Sequence, residues 1–464
     1  MKRSEIVFAV IFLAFAGAFV LADRSIPQRD TGERGVKTGR FISTAWYCPG
    51  PGGDGFDPVM STTNLGDVPV RLRRLAVGSA SASALEEGTL AVHRRSPVTV
   101  QKFGVRDAAG LTEAFGASTY TDIAVLAPGK GAATSTCSVQ PSNRWFFASG
   151  STARGENHRL LVFNPFEEEA VVKVRFLTGD SGVVPARLKN LVVGARSQSD
   201  VSLADFFAET PSFGLDVTAT QGRVVVSRFS QVSTRSGVKG LSLAVGARSP
   251  SVAWTIPGGE VPADGEEFIT LVNPESSEAL LQLVFQLEGE QSAPPGLGEI
   301  ALKGGTQLRV KVSDHLLRGA KYGVKITSAN AVPVVAERET IAATADGRGY
   351  ESVFAVREPS ARWAVGVGSS AGGSALLAIS NPGGADAVVR IGLYREGTEN
   401  FPPELGALKI GAGRRSTVDL TGFLEGGAGT ALVDALRGTV AVEAWLILGP
   451  PYADFAGLPG FPLE

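Results

Sequence analysis

The clearest pattern along the chain is alternation. Apolar residues occupy every second position in Val172, Val174, Phe176, in Leu281, Leu283, Phe285, Leu287, and in Val389, Ile391, Leu393. A period of two predicts strands with one face buried. Shorter runs follow in each case: Val201-Ser-Leu203, Val310-Lys-Val312 and Val418-Asp-Leu420. Paired apolar runs come later. Leu215-Asp-Val217 and Val224-Val225-Val226 flank a turn at Gln221-Gly222, matched by Val324-Lys-Ile326 with Val334-Val335, and by Leu432-Val433 with Val440-Ala-Val442. Two such runs around a short polar turn predict a hairpin. One-turn helices are predicted at 204–207, 314–317 and 422–424. No stretch predicts a long amphipathic helix.

The pattern recurs because the chain repeats itself. Trp46, Trp145, Trp254 and Trp363 are spaced by 99, 109 and 109 residues. Each is followed, 18 or 19 residues on, by an asparagine: Asn64, Asn164, Asn273 and Asn381. The last three stand before Pro165, Pro274 and Pro382, and Pro141, Pro250 and Pro359 each precede a tryptophan by four residues. Repeat one departs most, with Leu65 after its asparagine and Ile42 where the others have proline. Repeats of about 105 residues with seven or eight short strands predict four tandem immunoglobulin-like β-sandwiches. Units this long can bury a core of their own. A propeller would need two blades per repeat. The expected boundaries are 41–140, 141–249, 250–358 and 359–464.

Ahead of the repeats, Lys2 and Arg3 precede an apolar run from Ile6 to Ala22, seventeen residues long. This is the pattern of a secretory signal or an uncleaved signal-anchor, and the basic start places the rest outside the membrane. Residues 23–40 are polar and carry Pro27, Gly32, Gly35 and Gly39, as in a flexible tether. The expected location is extracytoplasmic, anchored or secreted.

Composition narrows the chemistry. The 464 residues include 2 Cys and 3 His, with a formal charge of −2. That excludes a cysteine-rich metal array and gives none of the basic excess of a nucleic-acid binder. Cys48 and Cys137 fall near the start and end of repeat one, where the first and last strands of a sandwich approach each other. In an oxidising compartment they are expected to form a disulfide. The tryptophans are expected to anchor the cores, and the asparagines to close strand-end turns. If exposed, the four rings would instead form a platform for sugars or partner chains. Pro-x-x-x-Trp predicts stiff joints, which favour a rod.

Two motifs match catalytic patterns. Gly366 to Ala371 fits a dinucleotide-binding loop, and Gly368-Ser-Ser-Ala-Gly372 fits a nucleophile elbow. The first needs a helix after it and the second a later histidine. The chain after Ser370 predicts a strand, and no histidine follows His315. His93, His158 and His315 sit at non-equivalent positions and are expected on the surface or in loops. Glu167-Glu168-Glu169 predicts a charged hairpin tip, and Arg71, Arg73, Arg94 and Arg95 predict an outward strand face. No catalytic, cofactor-binding or metal-ligating set is predicted.

Trp145-Phe-Phe-Ala-Ser-Gly150-Ser-Thr, Leu161-Val-Phe-Asn164-Pro165, Leu271-Val-Asn273-Pro274 and Val335-Ala-Glu337-Arg338 together resemble a set of uncharacterised, secreted actinobacterial proteins with tandem β repeats. The resemblance spans roughly 41–448 and implies a cell-envelope location. The late Glu-Arg pair is incomplete in repeats two (Ser227-Arg228) and four (Glu443-Ala444), which argues against an essential site there. The function expected is a non-enzymatic envelope scaffold with a protein or glycan partner. The alternatives are a cell-wall polymer binder or a hydrolase built on a carboxylate pair.

Overall fold

A computed structural model describes residues 43–463, apart from 54, 79–82, 101–107, 288, 346 and 397–398. The apolar N-terminal run and the polar stretch after it lie outside the described residues. No helix among the described residues is long and apolar enough to cross a membrane.

The chain folds as tandem β-sandwiches, each made of two antiparallel sheets. Repeat two shows the pattern. One sheet carries Ser197–Ser202, Glu156–Asn164, Val225–Ser233 and Lys239–Val245, in that spatial order. The facing sheet holds Ala170–Leu177, Gly214–Gln221 and the tryptophan strand Arg144–Phe147. Two short strands, Gly182–Val183 and Leu191–Val193, pair with the outer edge of that sheet. Gly214–Gln221 and Val225–Ser233, expected from sequence to pair as a hairpin, instead lie in opposite sheets, as in a sandwich and unlike the meander of a propeller blade; Val225–Ser233 pairs with the next strand, Lys239–Val245. The alternating residues Val172, Val174 and Phe176 are buried in one core with Leu160, Val162 and Trp145. The predicted helical turns are short: Leu203–Asp205 and Val312–Asp314 are 3-10 turns, and Thr421–Leu424 is one α turn.

After its last strand, each repeat crosses back to its own tryptophan strand. Ser138 bridges Tyr47, Ala247 bridges Phe146, and Val356 bridges Thr255. In repeat four the same place is taken by the C-terminal strand Phe461–Pro462, which pairs with Ala364 and Trp363. The crossing segment thus covers an otherwise open sheet edge and leads into the next repeat.

The repeats do not form a rod. Their last strands, Gly131–Thr136, Lys239–Val245, Gly347–Phe354 and Asp454–Pro459, pack in a closed cycle, the first against the second and the fourth against the first. Pro141, Pro250 and Pro359 lie where one repeat leads into the next, and the last strands of neighbouring repeats pack against each other. Leu161, Phe229, Leu241 and Leu243 of repeat two share a core cluster with Trp46 and Met60 of repeat one. Ala364, Tyr394, Leu432 and Phe461 of repeat four join that same cluster. Repeat one is therefore gripped from both sides, and the ring closes.

Candidate functional site

The residues repeated in every copy have structural partners. Trp145, Trp254 and Trp363 are buried, and each donates its indole N–H to a backbone carbonyl: Val224 at 2.9 Å, Val334 at 2.7 Å and Val440 at 2.8 Å. Trp46 is equally buried but donates to Thr119 Oγ1 at 2.9 Å. An aromatic platform for sugars would need these rings exposed; they are core.

Each asparagine side chain bridges two loops. Asn273 Nδ2 donates to Ser277 O (2.8 Å) and Leu302 O (2.9 Å), and its Oδ1 accepts Glu275 N–H (3.0 Å). Asn164 and Asn381 repeat the arrangement with Glu168, Gly194 and Phe166, and with Ala385, Ile410 and Gly383. Asn64 makes it too, with Val68, Ala91 and Gly66, although no proline follows it. The asparagine is thus an internal clamp rather than a turn-former alone.

Cys48 and Cys137 are joined in a disulfide across 89 residues. Cys48 stands where the other repeats carry Phe147, Ile256 and Val365, all buried. The disulfide therefore replaces an apolar contact between the first strand and the crossing segment. The glycine-rich segment after Arg362–Gly368 leads by a turn into the strand Ser374–Ser380, so neither catalytic motif has its structural context.

Chemistry concentrates instead at the joints between repeats. In repeat three, Glu337 and Arg338 are neighbours in sequence but serve opposite joints. Glu337 reaches back to Arg228 of repeat two (2.7 Å), and also accepts Ala148 N–H (2.6 Å) and the Ser149 hydroxyl (2.7 Å). Arg338 reaches forward, with Nη2 2.6 Å from Glu443 of repeat four and 2.6 Å from Glu351, and Nε 3.4 Å from Glu267. It also donates to Gly258 O and lies 4.5 Å over the Trp445 ring. Repeats two and four each keep the single member that their joint with repeat three uses. The two joints of repeat three each take one member from each side: repeat two supplies only the arginine, and repeat four only the glutamate.

Where repeats four and one meet, the cation comes from elsewhere. Arg95 holds Asp122 in a two-pronged pair (2.7 and 2.8 Å) and donates to Thr430 of repeat four (2.8 Å). Arg95 is buried, not on an outward face as its sequence pattern predicted; Arg73 does lie outward, paired with Glu113. The Tyr120 hydroxyl accepts Gly366 N–H (3.0 Å), and Phe461 packs 5.0 Å from Trp46. Outside this pair, His93 stacks on Tyr394 and bonds Glu399 at 2.6 Å. His158 also departs from expectation. It is fully buried at the joint of repeats two and three, edge-on to Tyr350.

Asp454 sits where all four repeats meet. Its Oδ2 accepts Ala132 N–H of repeat one (3.2 Å) and Leu241 N–H of repeat two (3.0 Å). The backbone amides of Tyr350 and Phe455 add to the favourable field at the carboxyl, whose Oδ1 makes no hydrogen bond among the described residues. The equivalent residues of the other repeats are Gly131, Gly240 and Gly349. A Cβ on Gly131 or Gly349 would stand 2.3 or 2.6 Å from the carboxyl oxygens, so only glycine leaves it room. No sequence motif marks this site, but three glycines and one aspartate at a common repeat position are its signal.

Burial sets the protonation of these groups. It pushes Glu443 up to about 7 and Glu267 up to about 8, with Arg338 pulling both the other way. Glu351 is also raised by burial. Burial raises Asp454 well above the usual carboxyl range against the pull of the four amides. His158 is driven well below its ordinary value by burial and by the charge on Arg228.

On the surface, Asn164, Phe166, Glu167, Glu168, Glu169 and Arg223 line an open depression, and Glu167 pairs with Arg196. Among the described residues, no three His, Cys, Asp or Glu side chains are placed to hold a metal ion.

A model of a family of unknown function, DUF5719, matches residues 92–347 and 338–459. The chain belongs to that family. The DUF5719 match runs from repeat one through repeat four and takes in Arg95, Asp122, Arg228, Glu337, Arg338, Glu443 and Asp454. No curated protein matches. Among solved structures, this DUF5719 chain is similar to Thermotoga maritima 1070, at 15% identity and a TM-score of 0.22, over 24% of this chain and 97% of that one. It is also similar to a Streptomyces avermitilis α-L-rhamnosidase complexed with L-rhamnose, at 10% identity and a TM-score of 0.12, over 94% of this chain and 55% of that one.

Proposed function

We propose that this chain is a non-enzymatic interaction platform on the outer side of the cytoplasmic membrane, a four-repeat ring presented on its N-terminal segment to an envelope protein partner. The observation that carries this reading is the use made of the reactive side chains. Arg228, Glu337, Arg338, Glu443, Arg95 and Asp122 are buried and spent on holding repeats together. A ring held at its joints leaves its loops exposed, and loops on a rigid scaffold are the usual carriers of recognition. Buried tryptophans favour a protein partner over a glycan, which binds through exposed rings.

The experiment is photo-crosslinking from outer loops such as Glu167–Glu169 in intact cells, combined with protease treatment of the cell surface. An envelope protein crosslinked to the loops, and degradation of the chain by external protease, support the proposal. Turnover of a cell-wall glycan by the purified chain, or protection from external protease unless cells are lysed, overturns it.

A further inference from the structure

Repeat three is held by two joints of opposite make-up. Between repeats two and three, one buried cation, Arg228, meets one buried anion, Glu337. Beside them His158 Nδ1 accepts Ser151 N–H at 3.3 Å and lies 3.2 Å from the Ser230 hydroxyl. A nitrogen that accepts an amide hydrogen carries no proton, so the ring is neutral, and Nε2 has no hydrogen-bond partner among the described residues. A second proton would set an N–H against the Ser151 N–H and a charge beside Arg228. The groups facing this ring are Arg228 and Tyr350, with Glu156, Glu339 and Arg309 around Tyr350.

Between repeats three and four, one cation faces three carboxyls. Glu267, Glu351 and Glu443 surround Arg338, and every side chain in the group is 0–3% exposed. Tyr322, Thr340 and Trp445 complete the surroundings. Three ionised carboxylates would leave a buried excess of negative charge, which is costly to keep out of water. The closed joint therefore favours retaining a proton on the group.

We propose that these joints respond to pH in opposite senses: acid loosens repeat two from repeat three through His158, and alkali loosens repeat three from repeat four through Glu267, Glu351 and Glu443. Burial supports both directions, raising the carboxyls and lowering the histidine. A raised carboxyl favours the closed joint below its unfolded value, and this support is lost as pH rises through the folded one. A lowered histidine favours the closed joint above about 6.5 and loses that support as pH falls. Asp454 adds to the alkaline arm from the centre of the ring.

Hydrogen exchange of the full chain from pH 5 to 9, corrected for intrinsic rates, tests this. Protection around Arg338 and Glu443 is expected to fall by up to about tenfold per pH unit as pH rises from 5 to 7. Protection around Ser151, His158 and Ser230 is expected to fall by up to about tenfold per unit below about 6.5. Glu443→Gln, an uncharged stand-in for the protonated acid, should reduce the first slope and spare the second; His158→Gln should do the reverse. Should either variant fail to fold, carboxyl NMR of the wild-type protein labelled at glutamate decides the alkaline arm. At least one glutamate titrating above pH 6 supports it. Flat profiles, slopes of the same sign at both joints, an unchanged slope in a folded variant, or all glutamates ionised below pH 6 overturn the proposal.

Discussion

The Asp454 carboxyl Oδ2 accepts the backbone N–H of Ala132, 322 residues earlier in the chain, at 3.2 Å. This bond ties the last strand of the final repeat to the last strand of the first. The same oxygen takes Leu241 N–H of repeat two. Removing the acceptor strands buried amides, at about 1–3 kcal/mol each. Asp454→Ala should therefore lower unfolding free energy by roughly 2–5 kcal/mol, and Asp454→Asn, which keeps an acceptor and no charge, by clearly less. Denaturant unfolding of the two variants measures this; equal losses would show that the amides are satisfied elsewhere.

The division of Glu337 and Arg338 between two joints is testable by coupling. A double-mutant cycle pairing Arg228→Met with Glu337→Gln should give a coupling above about 1 kcal/mol, while Arg228→Met with Glu443→Gln should be nearly additive. Breaking the pair from one side alone should cost about 3–5 kcal/mol, because the other charge stays buried. Near-additivity in the first cycle would contradict the assignment.

The asparagine clamp should act in all four repeats. Asn273→Ala is expected to cost about 2–4 kcal/mol through its lost hydrogen bonds. Asn64→Ala should cost a similar amount although Leu65 follows it instead of proline. If Asn64→Ala proves neutral while Asn273→Ala does not, the Asn-Pro turn matters rather than the clamp.

Sequence showed the repeats, the strands and the disulfide, because each leaves a local signature: an alternation, a common offset, or two cysteines at matched ends of one repeat. The ring left little. Leu161 and Phe229 face the neighbouring repeat from strands whose alternate residues fill their own core, so these strands are apolar on both faces. Within a single repeat the Glu-Arg pair is incomplete; its partners lie about 105–110 residues away, in the neighbouring copies. Sequence alone puts Arg95 and His158 at the surface for the same reason, since what buries them includes another repeat. Gly131, Gly240, Gly349 and Asp454 occupy one repeat position, but only the closed ring gives that pattern a meaning.

The Cys48–Cys137 disulfide closes a long loop in the repeat that both neighbours grip. Chain entropy assigns such a loop a stabilisation of up to about 4–5 kcal/mol. The double variant Cys48→Ala/Cys137→Ala should lose up to that amount, with hydrogen exchange rising first in repeat one. Exchange rising first in repeat three would point to a different weak element.

Ring closure is tested most directly by small-angle X-ray scattering of the four repeats, residues 41–464. A compact body of that length has a radius of gyration of roughly 22 Å. The closed ring predicts a value near this with a single-peaked distance distribution, and Phe461→Ala, which loosens the contact with Trp46, should raise it. A radius about twice as large, as for four sandwiches strung end to end, would contradict the ring.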